Sequence, residues 1–297
     1  MRIPVILPTL NPYRNQPFSR KTFLIFLNNP TIALSFCFSL EALLTKHAPL
    51  LLFFQHIEFF LRSSFYYFFE SADTEAPLVL PPEAVHHAMR VLRMRQGDAV
   101  EVFNGKGCAV KGTIRFATDF AEVIPQEVIM QPRGLKLVLM QALVANEKMD
   151  WIIEKACELG YAEIAVFPSE RGEVRLTCEK AVKRVERWNK IAVSACQQCG
   201  ENYLPNIRFC SSLKDAAAHT EGLKFVLSPI GKTYDSPDTP TAVTFAVGPE
   251  GGLSPKEINT LIESGFYSCK LGNRVLRTET AALAAASFAQ TLWGDFR

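Results

Sequence analysis

Two segments near the C-terminus hold the residues whose types and spacing could do chemistry. The first reads Val243-Thr-Phe-Ala-Val-Gly248-Pro249-Glu250-Gly251-Gly252-Leu253-Ser254-Pro255-Lys256-Glu257. An apolar strand runs into a glycine-rich loop, and Ser254, Pro255 and Glu257 read as the N-cap, N1 proline and N3 glutamate that start a helix. Glycines beyond the carboxyl end of a strand let backbone amides approach a ligand. A tight turn that needs glycine only for its φ angles is the alternative. The second segment reads Leu271-Gly272-Asn273-Arg274-Val275-Leu276-Arg277-Thr278-Glu279-Thr280-Ala281-Ala282. Here a strand ends near Lys270, a glycine loop carries two arginines, and a helix begins at the threonines with Glu279 in its first turn. Charged side chains pinned between a strand end and a helix N-terminus suit an anion or an adenosine group. Otherwise Arg274, Arg277 and Glu279 are solvated surface charges.

The elements that must position these segments form an alternating pattern. Leu135 to Val144 reads as an apolar strand, Lys148 to Leu159 as a helix closed by Gly160, and Ile164 to Phe167 as a strand. A long helix from about Glu179 to Cys199 follows, with short strands at Phe225 to Leu227 and Val243 to Val247. Thr278 to Trp293 closes the chain as a small-residue helix, whose Ala281-Ala282 and Ala284-Ala285-Ala286 permit close packing against another backbone. Such alternation implies a buried parallel sheet with helices on both faces. Upstream, Pro82 to Met94 has helical spacing, Gly97-Asp98 makes a turn and Ala99 to Phe103 alternates like a strand. Asn104-Gly105-Lys106-Gly107 is a hairpin signal, with strand-like runs at Cys108 to Phe116 and Phe120 to Ile124. This is a small, mostly β domain with one helix, and Gln131-Pro132-Arg133-Gly134 is a linker.

The chain of 297 residues is 48% hydrophobic and 21% charged, enough for two packed cores and too apolar for disorder. Its net charge of +2, from 32 basic and 30 acidic residues, leaves any nucleic-acid contact to local clusters. Eight cysteines scattered through apolar segments fit reduced, mostly buried thiols in a cytoplasmic protein. Only Cys196 and Cys199 form a CxxC pair, which without a second pair or nearby histidines is incidental to a helix, so no metal is expected. The first 63 residues are Phe- and Leu-rich without amphipathic period. The uncharged stretch between Lys21 and Glu41 is interrupted by Asn28-Asn29-Pro30, so a poorly structured extension, or a start assigned too far upstream, is expected rather than a membrane segment.

Taken in order, these segments closely resemble the RsmE family of SPOUT-type methyltransferases, which act on uridine N3 in 16S ribosomal RNA. The resemblance covers most of residues 65–297. It includes His86-His87, Val91-Leu92-Arg93, Lys148 to Gly160, Ser169-Glu170-Arg171, the Arg187-Trp188-Asn189-Lys190-Ile191-Ala192 run, GPEGG at 248–252 and LGNRVLRTETAA at 271–282. It implies a small PUA-like β-barrel domain over 64–132 and a trefoil-knotted α/β methyltransferase domain with a parallel sheet over 133–297. It further implies S-adenosyl-L-methionine as donor, a homodimer with the alanine-rich last helix as a packing surface, and one specific uridine, U1498, as target. By motif match Gly248, Pro249, Glu250, Gly251, Gly252, Leu271, Gly272, Leu276 and Thr280 are the donor-binding candidates. Arg277 would stabilise negative charge on uracil, and Glu279 would accept the N3 proton through water or orient that arginine.

Local charge supplies the RNA candidates. Arg171 to Lys190 carries seven basic and three acidic residues, and Arg90, Arg93 and Arg95 cluster with His86 and His87. Arg171, Lys183 and Arg187 join them as phosphate contacts, which would position an RNA without reading its sequence. The alternative is an ordinary solvated helix face. The sequence departs from the family near Cys199: Gln197 stands where relatives carry an acid and Glu201 where they carry an arginine. Competing readings are a related enzyme acting on transfer or 23S ribosomal RNA, and a non-catalytic ribosome-assembly protein. A dinucleotide oxidoreductase would need GxGxxG at the first βα turn, where the chain reads Ala-Asn-Glu-Lys after Val144.

Overall fold

A computed structural model describes residues 65–72, 75–118, 120–234 and 239–296. The expected N-terminal extension and the stretch between Lys21 and Glu41 lie outside the described residues. The N-terminal sheet comprises β1 (Tyr66–Phe68), β2 (Leu78–Val79), β3 (Ala99–Phe103), β4 (Cys108–Phe116) and β5 (Ala121–Met130), in the open order β1-β3-β4-β5-β2. Inward residues of alternate register, among them Val100, Val102, Val110, Ile114 and Val123, form its core with Phe65 and Leu80. β5 runs past the expected Ile124 because a bulge between Lys111 and Gly112 sets Gly112 opposite Pro125, which cannot donate to the ladder.

Helix α1 (Pro82–His86) continues as a π-type turn over His87–Val91, with Leu92 N donating to His87 O at 3.0 Å. The helical span therefore stops short of the expected Met94. The chain leaves it through Arg93 at φ 54°, a left-handed position that glycine usually takes.

The second sheet is parallel throughout. It comprises β6 (Lys136–Ala142), β7 (Tyr161–Phe167), β8 (Asn206–Phe209), β9 (Leu223–Lys232), β10 (Ala242–Val247) and β11 (Tyr267–Cys269), in the order β11-β9-β10-β6-β7-β8. On one face Leu137, Leu139, Phe225 and Phe245 pack with α2 (Asn146–Glu158), α3 (Cys178–Cys199) and α6 (Thr278–Trp293). On the other, Met140, Phe167, Val226 and Ala246 pack with α4 (Leu213–Ala218) and α5 (Pro255–Glu263). β10 is buried at every residue, as a central strand covered on both faces must be. Helices on both faces agree with the expectation from alternation, whereas β1, β2, β8 and α4, of two to six residues, carried no readable period.

Ala282, Ala285, Ala286 and Ala289 of α6 are fully buried against α2 and the sheet, the close approach to another backbone that small residues permit, while Ala281 and Ala284 are half-buried. Among the described residues no helix is long and apolar enough to cross a membrane. Seven described cysteines are free thiols, five of them buried. Hydrogen bonding with a neighbouring thiol, Cys157 for Cys196 and Cys196 for Cys199, together with burial, favours the protonated form and pushes both thiols of the CxxC pair upward.

Candidate active site

The site begins where β10 ends. Gly248 turns the chain so tightly that a Cβ there would meet Leu253 N at 2.8 Å. The loop then enters α5 through the expected capping box: Ser254 Oγ accepts from Glu257 N, and Glu257 Oε2 accepts from Ser254 N at 2.8 Å. Glu257 is buried, and its other oxygen accepts from Glu170 N at 2.9 Å, so one cap also anchors the loop after β7. That loop brings Arg171 to the glycines, where its Nη1 donates to Gly251 O at 3.2 Å.

The second segment is locked to the first by a buried relay. Thr278, the first residue of α6, donates its hydroxyl to Gly248 O at 2.6 Å, and Gln141 Nε2 at the end of β6 donates to Thr278 Oγ1 at 2.9 Å. Because a hydroxyl has one proton, the Gly248 bond dictates which end of the Gln141 amide faces Thr278. Thr278 and Gln141 were not singled out from sequence. A signal existed: Thr278 precedes the buried Ala282 by four residues and so shares its face.

Between the two segments lies a cavity of about 700 Å³, within the size range of small-molecule sites. Its lining includes Gly248, Pro249, Glu250, Gly251, Gly252, Leu271, Gly272, Leu276, Arg277 and Glu279, together with Leu227, Val247 and Leu253. Gly252 and Gly272 adopt φ +67° and +81°, and a Cβ at either would meet no atom within 4 Å. They therefore present bare peptide groups to open space, the cradle expected for an adenosine-type ligand. Thr280 is exposed and does not line the cavity, because it sits two residues from Thr278 on a helix whose Thr278 face turns inward.

Charge concentrates at one side. Arg277 is exposed at the N-cap of α6, and Glu279 in the first turn buries Oε2 without a hydrogen-bond partner. Lys148, from the first turn of α2, joins them on the lining and pairs with Glu250 Oε1 at 2.6 Å. The Glu250 hydrogen bond holds Lys148 above the ordinary lysine range, and Lys148 holds Glu250 below the usual carboxylate range. Lys148 lies close enough to Arg277 and Glu279 to feel both charges.

The RNA candidates do not form one cluster with the cavity. Arg171 lines it. Lys183 and Arg187 are exposed on α3, with Arg187 Nη2 and Nε already engaged by Asp150 Oδ2 at 2.5 and 3.0 Å. His86, Arg90, Arg93 and Arg95 are exposed together on the N-terminal domain, while His87 is half-buried against the Phe65 ring. Gln197 is half-buried on α3, and Glu201 falls beside the joint between the domains: Glu201 Oε1 accepts from Tyr203 N at 2.9 Å, and Asn202 bonds Tyr66 and Gln131.

A family model described as RNA methyltransferase domain matches residues 131–290, more than half of the chain, and an RNA methyltransferase PUA domain matches residues 80–123. Ribosomal RNA small subunit methyltransferase E of Bacillus subtilis (strain 168) is 32% identical over 229 residues, which is 72% of this chain and 90% of that protein. A ribosomal RNA small subunit methyltransferase E from Neisseria gonorrhoeae, solved bound to S-adenosyl methionine, superposes with a TM-score of 0.70. It is 32% identical and covers 78% of this chain and 99% of its own. A Legionella pneumophila protein solved in complex with SAM gives a TM-score of 0.69 at 36% identity, over 77% of this chain and 97% of that one. On this fold, a PUA-type sheet ahead of a SPOUT-type α/β domain, and on these relatives, the chain belongs to the ribosomal RNA small subunit methyltransferase E family.

Proposed function

We propose that this protein transfers a methyl group from S-adenosyl-L-methionine to N3 of one specific uridine in 16S ribosomal RNA of the small ribosomal subunit. The observation that carries the reading is the two-loop cradle, in which Gly252 and Gly272 bare their backbone beside Arg277 and the unpartnered Glu279 Oε2. The donor supplies an electrophilic sulfonium methyl. Gly248, Pro249, Glu250, Gly251, Gly252, Leu271, Gly272 and Leu276 hold it, with Thr278 keeping the two loops together. Arg277 faces the negative charge that uracil acquires when N3 loses its proton, and Glu279 Oε2 takes that proton through water. The base must be presented outside its stack for N3 to reach the methyl in line.

Residues 64–132 serve as the RNA-binding domain, 133–297 as the methyltransferase domain, and 1–63 as a dispensable extension. His86, Arg90, Arg93, Arg95, Arg171, Lys183 and Arg187 supply phosphate contacts; for Arg187 this requires exchange of its Asp150 partner. The enzyme works in the cytoplasm as a homodimer. Ile230 and Val275, apolar residues of the cavity lining that are 89% and 79% exposed, are surfaces a second copy would cover.

The test is transfer of labelled methyl to small subunits from a strain lacking this gene, with nucleoside mass spectrometry. 3-Methyluridine in 16S RNA is the expected product. Label in transfer RNA or in the large subunit alone would replace this substrate.

A further inference from the structure

Lys148 reaches the cavity from an element that neither glycine segment includes. It stands in the first turn of α2, directly after β6, and β6 pairs in parallel with β10. The loops that follow these two strands therefore open on the same edge of the sheet, which brings Lys148 to Glu250 of the GPEGG loop. The pair is 38% and 49% exposed at its side chains, and a pair so open to solvent adds little to stability. An ammonium has three donors, and Glu250 takes one of them. Two remain, and Lys148 lines the cavity together with Arg277 and Glu279.

A uracil that has lost its N3 proton spreads negative charge over O2, N3 and O4, so one arginine can meet only part of it. We propose that Lys148 is a second catalytic cation, donating a charge-assisted hydrogen bond to a carbonyl oxygen of the uracil anion, with Glu250 as its positioning residue. The inference rests on uridine N3 being the acceptor. In the step, the N3 proton leaves through water to Glu279 and the N3 lone pair forms the bond to the methyl carbon. The electron pair of the breaking carbon–sulfur bond stays on sulfur, which leaves S-adenosylhomocysteine. Lys148 keeps all its protons: Glu250 and Glu279 favour its charged form, and Arg277 opposes it.

The experiment uses the full chain with Lys148→Met and Lys148→Arg, small subunits lacking the modification, and calorimetric titration with S-adenosylmethionine. For Lys148→Met, kcat should fall about 100-fold, and the rise of kcat with pH should move to higher pH because deprotonation loses its cation. Donor Kd should stay within about twofold of wild type. Lys148→Arg should recover most of the rate and the original pH profile. A methionine variant with wild-type kcat and profile overturns the proposal. So does a loss confined to donor Kd, or one that leaves the pH profile in place and is not rescued by arginine. If the wild-type protein itself yields no 3-methyluridine, the reading of the acceptor fails first and this assignment falls with it.

Discussion

At the residue scale the site separates groups that hold the donor from groups that face the reacting base. Arg277 sits at the N-cap of α6 and is exposed, so it is free to meet a substrate. Arg277→Ala is expected to lower the methylation rate about 100-fold while changing donor affinity far less; equal losses in the two, measured by single turnover and calorimetry, would make it a donor-binding residue. Thr278 is the opposite case. Its hydroxyl satisfies Gly248 O and accepts from Gln141, with the Thr278 and Gln141 side chains both buried. Thr278→Val keeps the shape and removes both bonds, which should cost about 1–3 kcal/mol of stability and weaken donor binding about tenfold. Thr280→Val on the exposed side should change neither. Calorimetry on the two variants decides between the threonines, and the reverse ranking would return the role to Thr280.

At the element scale, one edge of the parallel sheet is tied by charge. Glu163 on β7 accepts from Lys136 on β6 at 2.6 Å and from Arg208 on β8 at 2.7 Å, so a single carboxylate spans three adjacent strands. Burial pushes its pKa up, but the Lys136 and Arg208 hydrogen bonds outweigh this and leave it below the usual glutamate range. A group whose folded pKa is depressed stabilises above its unfolded pKa of about 4.3, and that contribution disappears as pH falls through the folded value. Glu163→Gln should therefore melt lower than wild type at neutral pH, by the equivalent of roughly 1–2 kcal/mol, with the two curves converging below about pH 4. A gap that persists in acid would mean that packing, not charge, makes the difference.

Strands and helices of this kind were legible from sequence where pattern was long and punctuated. Ala99–Phe103, Cys108–Phe116 and Thr278–Trp293 appear with the expected bounds, because turn glycines or caps mark their ends. The short β8 and α4 were not legible, and neither was the placement of Lys148. Its meeting with Glu250, 102 residues away, follows from β6 and β10 being neighbours, and strand order is not written in local periodicity.

At the scale of the whole molecule, the two domains meet at a joint built from the Asn104 hairpin and the loop after α3, where Tyr66, Phe68, Phe103 and Ala109 of the first sheet pack into the core of the second domain. Gly107 N donates to Asn202 O at 3.1 Å, Leu204 N donates to Gly105 O at 2.9 Å, and Tyr203 OH donates to Gln131 O at 2.6 Å. Arg133 of the linker lies over the Tyr203 ring at 4.6 Å. Gly107 makes this approach possible twice over: its φ is +95°, and a Cβ would collide with Cζ and the hydroxyl of Tyr203. The joint stands apart from the cavity, as none of its residues lines it. It can therefore affect RNA presentation without touching the donor. Gly107→Ala should displace Tyr203, cost about 1–3 kcal/mol of stability, and raise KM for small subunits severalfold, with donor Kd unchanged. Steady-state methylation and calorimetry on the same preparation check this. If donor binding fell in step with RNA affinity, the joint would be supporting the methyltransferase fold itself rather than aligning an RNA-binding domain with the base to be methylated.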